Sequence, residues 1–225
     1  MDEGQRGALL ATCSLFRDVP EQDLRHLATA ATVRRYRRGQ LLFYEGDVGD
    51  SLLLVAEGMF KAYSTSKDGE EFLLAVVHPG DSLGEVCLAD GGTRSATVEA
   101  MTDAVTLRLP REAVLTAAAG SPALTLAILR ALASVIRRLT GTAADLVFLD
   151  LPRRVAKLIV DEHQASGSEV IDMPLTQSEI ANRVGASRQS VNVALRDFQR
   201  RGWITATGHV IRIRDIRALS RFVDV

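Results

Sequence analysis

The side chains best suited to chemistry stand together in LTQSEIANRVGASRQSVNVALRDFQRRGWI, residues 175–204. Ser187, Arg188, Gln189 and Ser190 precede an apolar-periodic run, and Asn192 and Arg196 follow at spacings that keep them off its apolar face. Hydroxyl, amide and guanidinium groups of this kind donate to phosphate oxygens and to base edges. Arginine suits guanine, whereas glutamine suits adenine; Val193 offers only apolar contact, as to a thymine methyl. No nucleophile with an adjacent base and no cluster of metal ligands accompanies them, so the chemistry on offer is binding, and an enzyme is not expected.

Such donors need a rigid mount, and the neighbouring pattern supplies one. Thr176 lies three residues before Glu179, which is a capping box opening a helix. Thr176 and Gln177, at its start, join the candidate DNA contacts. Ile180, Ala181 and Val184 form one apolar face, Gly185 supplies a turn, and Ser187 caps a second helix whose inward face is Val191, Ala194, Leu195 and Phe198. This is helix-turn-helix spacing. A structural helical hairpin shares the apolar pattern, but its second helix need not begin with Ser-Arg-Gln-Ser. After it, residues 203–206, a turn at Thr207-Gly208 and the alternating residues 210–214 read as a β-hairpin wing whose Arg212 and Arg214 reach toward phosphates.

The rest of the 225-residue chain has to carry this head. With 47% hydrophobic and 24% charged positions it is an ordinary soluble composition, long enough for two domains. Its longest apolar runs, such as 52–56 and 123–129, fall well short of the roughly 20 residues a membrane span needs. Met1-Asp2-Glu3 leads into no signal-like stretch, so a cytoplasmic location without a membrane partner is expected. The two cysteines, Cys13 and Cys87, make neither a disulfide framework nor a CxxC pair and read as small buried residues. A net charge of −1 conceals an asymmetry: residues 151–225 hold 12 Lys+Arg against 8 Asp+Glu, leaving 15 against 20 in front. A basic C-terminal part beside an acidic N-terminal part suggests a nucleic-acid contact confined to the former.

From Val33 to Pro110, β-type runs at 40–44, 51–57, 59–65, 71–77, 94–100 and 104–109 are broken by Glu45-Gly46-Asp47, Lys67-Asp68-Gly69 and Pro79-Gly80-Asp81. Many short strands at close spacing predict a β-roll or barrel, with a helix over about 21–31 packed on it. After Ser121-Pro122, a cap followed by proline at the first helical position, a helical pattern runs to about Leu149. Ile128, Leu132, Val135, Leu139, Thr142, Leu146 and Leu149 alternate at spacings of four and three, the a/d seam of a parallel helix dimer. The alternative is that this stripe packs on the roll. Asp150-Leu151-Pro152 reads as a hinge before a helix from Arg153 to about Gln164, and residues 165–168 as a loop. The fold class expected is α+β, with a β-roll domain over 1–120, a dimerisation helix over 121–149 and a winged helix-turn-helix domain over 150–225.

In this order of parts the chain resembles, over nearly its whole length, the cyclic-AMP receptor protein and fumarate-nitrate regulator group, the CRP/FNR family. Its most specific N-terminal stretch, GEVCLADGGTRSA at residues 84–96, is similar to the family's phosphate-binding cassette. Gly84 lets backbone approach a phosphate closely, and a short helix starting there offers free N–H groups to an anion. Glu85 suits a ribose 2′-hydroxyl, Arg94 can fork onto a phosphodiester, and Ser95 adds a hydroxyl and a backbone donor. With Val86 beside them, these residues imply a cyclic nucleotide, cyclic AMP, as ligand. A Glu85 to Arg94 ion pair would preserve both residues without any ligand. The family's cyclic-AMP responders touch adenine through Thr-Ser on the long helix; counting back from Phe148-Leu149-Asp150 puts Leu139 and Thr140 there, so half of that contact is missing. Leu139 also falls on the seam, where it strengthens apolar packing.

The resemblance therefore implies a homodimer through residues 124–149 that binds a palindromic double-stranded DNA operator under cyclic-nucleotide control, with RNA polymerase as a further candidate partner. The alternative is the same regulator acting without ligand or with another effector. Iron–sulfur sensing needs four cysteine ligands, and His26, His78, His163 and His209 show no spacing of haem ligands, so no metal or haem is expected. The family's usual Arg-Glu, with a further Arg four residues later, stands here as Arg188-Gln189 and Val193. That predicts a half-site richer in A·T than the family's standard TGTGA.

Overall fold

The computed structural model describes residues 2–166, 170–172, 176–207 and 210–224, so Leu175 of the reading head, Gly208 of the wing turn and Gly167-Ser168 of the expected loop lie outside the described residues. The chain divides into two compact units, Met1–Arg137 and Arg138–Val225.

The first unit opens with helices α1 (Glu3–Thr12) and α2 (Glu21–Ala30), then strands β1 (Thr32–Tyr36), β2 (Leu41–Phe43), β3 (Ser51–Glu57), β4 (Phe60–Thr65), β5 (Glu71–Val77) and β6 (Ser82–Leu83). A short helix α3 (Glu85–Asp90), strands β7 (Thr97–Ala100) and β8 (Ala104–Pro110), helix α4 (Arg111–Gly120) and the long helix α5 (Pro122–Phe148) follow. Two antiparallel sheets, ordered β1-β8-β3-β6 and β2-β7-β4-β5, make the roll. Strands β3 and β5 span the residues the sequence predicts. The run expected at 94–100 forms a strand only from Thr97, which leaves Arg94 and Ser95 on the approach to β7.

Strand β3 shows why Ser51–Val55 is buried throughout instead of alternating. Leu52 and Leu54 join a core beneath the helices with Phe16, Leu27 and Leu107, while Leu53 and Val55 join a second core inside the roll with Phe60, Ala62 and Val98. Both faces of the strand are covered, so apolar residues are needed at every position. Each fully buried leucine here contributes about 1.5–3 kcal/mol relative to an exposed one. Cys13 sits in the helix-side core, where burial pushes its thiol up to about 11.

Helix α5 begins as expected, with the Ser121 hydroxyl accepting from the Leu124 amide at 3.2 Å. Its apolar stripe is divided between two uses. Ile128 is buried and Leu132 packs against the helix-side core, whereas Leu129, Ile136, Leu139 and Leu146 stay exposed, Ile136 at 63%. The seam expected from spacing thus loses its first two members to the roll, and the uncovered apolar line runs through Leu129 and Ile136.

The second unit holds the end of α5, then α6 (Leu151–Ser166), β9 (Val170–Asp172), α7 (Gln177–Val184), α8 (Arg188–Arg200), β10 (Ile204–Thr207), β11 (Val210–Ile213) and α9 (Ile216–Asp224). Ala165 and Ser166, expected in a loop, extend α6. The sheet order is β10-β11-β9, all antiparallel. Phe198 of α8 stacks on Trp203 at 5.6 Å and meets Phe222 of α9 edge-on at 5.9 Å, which fixes α8 against the wing and the last helix. Among the described residues no helix is long and apolar enough to cross a membrane.

Candidate functional site: an anion cradle and a DNA-reading head

The cradle starts from one glycine. Gly84 adopts φ +95°, and a Cβ there would lie 2.3 Å from Arg94 Nη1 and 2.9 Å from the Ser51 carbonyl oxygen. Neither the backbone angle nor the space admits a side chain. The turn lets α3 begin immediately, with Glu85 in its first turn and the leading N–H groups of α3 left without helical acceptors. Arg111 secures the far end of α3: its Nε donates to the carbonyls of Cys87 and Leu88 at 3.2 and 3.1 Å.

Arg94 is 4% exposed. Its backbone is fixed on both sides, Arg94 N donating to Asp47 O at 2.8 Å and Gly46 N to Arg94 O at 2.9 Å. The guanidinium donates from Nη1 to Ser51 O at 2.9 Å and from Nη2 to Ser51 Oγ at 3.0 Å, and lies over the Phe43 ring at 4.3 Å. Its nearest carboxylate is Asp50, at 3.9 Å; Glu85 is instead hydrogen-bonded by the Ser82 hydroxyl. The ion pair between Glu85 and Arg94 considered from sequence is therefore not the arrangement found. Burial raises the Asp50 carboxyl, but the Ser51 hydroxyl and the Arg108 guanidinium outweigh it and hold the group below the ordinary 3.8.

Of the predicted ligand residues, Gly84, Glu85, Val86, Arg94 and Ser95 lie along the α3 turn and the segment leading into β7, with Glu85 and Val86 half-buried and Ser95 exposed. Leu139 and Thr140 are exposed on α5 in the second unit, Leu139 at 48%. Sequence reasoning missed Phe43 and Ser51, because a contact 43 residues away in the chain leaves no local signal.

The reading head is assembled as its spacing predicts. Thr176 Oγ1 accepts from Glu179 N at 3.2 Å while Glu179 Oε2 accepts from Thr176 N at 2.7 Å. Gly185 takes φ +63°, and Ser187 Oγ accepts from Ser190 N at 3.1 Å to start α8. Val191, Ala194, Leu195 and Phe198 are buried. Ser187, Arg188, Gln189, Val193 and Arg196 are exposed, with Gln177, Ser190 and Asn192 half-buried and Thr176 exposed at the start of α7. Val193, Arg196, Gln199 and Arg200 line a shallow depression on the outer face of α8. In the wing Ile211 and Ile213 turn inward and Arg212 outward, so alternation sets the cation on the solvent side, with Arg214 exposed just beyond the strand.

Arg154 ties the head to the helix before it, donating to Val184 O at the end of α7 and to Leu149 O, both at 2.9 Å. Lys157 adds contacts to both Asp145 carboxylate oxygens, at 2.7 and 2.5 Å. Among the described residues no group of three or more His, Cys, Asp or Glu side chains is arranged to hold a metal ion.

A nucleotide-type anion cradle on a roll and a winged helix-turn-helix in the same chain define a DNA-binding transcription regulator. Residues 33–120 match the cyclic nucleotide-binding domain and residues 153–222 the Crp-like helix-turn-helix domain. Over 218 residues the chain is 35% identical to a CRP-like cAMP-activated global transcriptional regulator of Mycobacterium tuberculosis, covering 95% of this chain and 97% of that one. It is 29% identical over 187 residues to the cyclic AMP receptor protein of Thermus thermophilus, covering 83% and 86%. Among solved structures it is similar to FixK2 from Bradyrhizobium japonicum, with TM-score 0.78 and 21% identity over 85% of this chain and 96% of that one. The chain belongs to the CRP/FNR family of transcription regulators.

Proposed function

We propose that this chain is a homodimeric regulator whose operator binding is controlled by cyclic AMP held in the roll. The observation that carries the reading is the buried Arg94 guanidinium pressed against Gly84 at the start of α3, a fixed cation beside free helix N–H groups. Its relative in Mycobacterium tuberculosis, described as cAMP-activated, supports the choice of nucleotide. The exposed apolar line through Leu129, Ile136, Leu139 and Leu146 on α5 supports dimerisation. Two recognition helices related by a dyad then enter successive major grooves about 34 Å apart, which calls for a palindromic operator. A ligand shifts such a dimer only by its difference in affinity for two arrangements, each tenfold contributing about 1.4 kcal/mol. Calorimetric titration of cyclic AMP into wild type and Arg94→Ala tests this: heat from the first and none from the second is expected, and no heat from wild type removes cyclic AMP as the ligand.

A second reading keeps the DNA function and dispenses with the nucleotide. Leu139, apolar and exposed where a hydroxyl would contact adenine, favours it by strengthening the dimer face directly. Operator affinity unchanged by any cyclic nucleotide would select this reading. Under either, Arg188, Gln189 and Val193 direct the head to an A·T-richer half-site. Selection from random DNA checks that, and recovery of TGTGA would count against it.

A further inference from the structure

Arg94 carries five N–H donors, and they are used unevenly. Ser51 engages both terminal nitrogens, its carbonyl oxygen accepting from Nη1 at 2.9 Å and its hydroxyl from Nη2 at 3.0 Å, while Nη1 also donates to Cys87 Sγ at 3.6 Å. That hydroxyl donates in turn to Asp50 Oδ1 at 2.9 Å, and Arg108 Nη2 donates to the other Asp50 oxygen at 2.6 Å. Asp50 itself stands 3.9 Å from the guanidinium, so its charge reaches Arg94 through the Ser51 hydroxyl and is shared with Arg108. The ring of Phe43 closes one face of the guanidinium at 4.3 Å.

What remains is the second Nη2 hydrogen and Arg94 Nε, the latter buried and without a hydrogen-bond partner among the described residues. A buried N–H left unpaired is costly, and a guanidinium edge is relieved by an anion with two oxygens at matching spacing. A phosphodiester meets that requirement.

We infer that Ser51 is the positioning residue of the phosphate site, holding Nη1 and Nη2 so that the Nε edge of Arg94 stands free for the two non-bridging oxygens of a cyclic nucleotide. The inference rests on the cyclic-nucleotide reading above and adds a specific division of labour to it. Ser51 touches no ligand; it removes rotational freedom from a long side chain before the ligand arrives, which raises affinity by lowering the ordering cost of binding. The hydroxyl is the replaceable half of the hold, because the Ser51 carbonyl remains in any variant.

The test compares full-length wild type, Ser51→Ala and Ser51→Thr. Each is titrated with cyclic AMP and with the two phosphorothioate diastereomers in which one or the other non-bridging oxygen is sulfur. Ser51→Ala is expected to weaken cyclic AMP about tenfold and to reduce discrimination between the diastereomers, and Ser51→Thr, which restores the hydroxyl, to recover both. A loss of general stability would lower all three affinities together and leave the diastereomer ratio unchanged, and that result overturns the proposal. A second arm needs no ligand: the Arg94 guanidinium ¹⁵N–¹H signals, assigned with Arg94→Lys, should show hindered rotation in wild type and Ser51→Thr and averaging in Ser51→Ala. Identical signals in all three overturn the proposal whether or not cyclic AMP binds. Absence of cyclic AMP binding to wild type would strike the ligand assignment alone, and the guanidinium signals would still decide the role of Ser51.

Discussion

Replacing Gly84 with alanine should damage the roll through two separable effects. The first is conformational: at φ +95° an L-residue is strained by roughly 1–2 kcal/mol. The second is collision, since the new methyl would lie 2.3 Å from Arg94 Nη1 and the guanidinium would have to leave. Leaving breaks its bonds to Ser51, and hydrogen bonds to a charged group are worth about 1.5–3 kcal/mol. Gly84→Ala should therefore cost about 3 kcal/mol or more in the wild-type background and about 1–2 kcal/mol less once Arg94→Ala has removed the nearer obstacle, the Ser51 carbonyl oxygen 2.9 Å away remaining in both. The four proteins of this cycle can be unfolded in urea and followed by tyrosine absorbance, because Tyr36, Tyr44 and Tyr63 all belong to the first unit while Trp203 belongs to the second. A coupling on the order of 1–2 kcal/mol is expected. If Gly84→Ala costs the same with and without the Arg94 side chain, the two residues do not meet and the cradle described here is wrong.

Ile136→Glu places a charge on the uncovered line of α5 and should give a monomer by light scattering at micromolar concentration, with operator affinity reduced on the order of 100-fold as the half-sites are uncoupled. Unchanged mass would place the dimer contact elsewhere. Asp145→Asn removes the partner of Lys157, a pair about 30% exposed, and should cost roughly 0.5–1 kcal/mol of second-unit stability by Trp203 fluorescence, less in high salt. The Asp50 carboxyl, held below its ordinary 3.8, contributes stability that is fully present above that value and is lost as pH falls through the lowered one. Asp50→Asn should accordingly flatten the acid limb of the stability profile below pH 3.8, and an unaltered limb would show that the Ser51 and Arg108 contacts do not matter to folding.

The parts legible in the sequence are those whose determinants lie within a few residues of one another. Thr176 and Glu179, Gly185, and Ser187 and Ser190 each complete a local device, and the head forms around them. Strand β3 was equally plain because an apolar run bounded by turn formers admits few alternatives. Where partners are distant the sequence is silent. Strand β9 is three residues whose pairing with β11 is set by the wing. Helices α1, α4 and α9 were not anticipated; the buried Val114 and Leu219 show α4 and α9 joining cores already established by other elements. The stripe on α5 shows the same limit: a spacing of four and three fits a dimer seam, but only the packed roll reveals that Ile128 and Leu132 are already committed. Ser51 escaped notice for this reason too, since its significance exists only after the β3 strand has been brought against the turn before α3.

Both thiols of the chain are shut away, Cys13 in the helix-side core and Cys87 on α3 with its sulfur 3.6 Å from Arg94 Nη1. The wild-type molecule is thereby close to inert toward maleimides and nitroxide reagents without any prior removal of cysteine. One cysteine introduced on an exposed position of the head, Gln199 for instance, would be the single accessible attachment point per copy among the described residues. A symmetric pair of labels then gives a ruler between the two reading heads of a dimer, read with and without nucleotide in otherwise native protein.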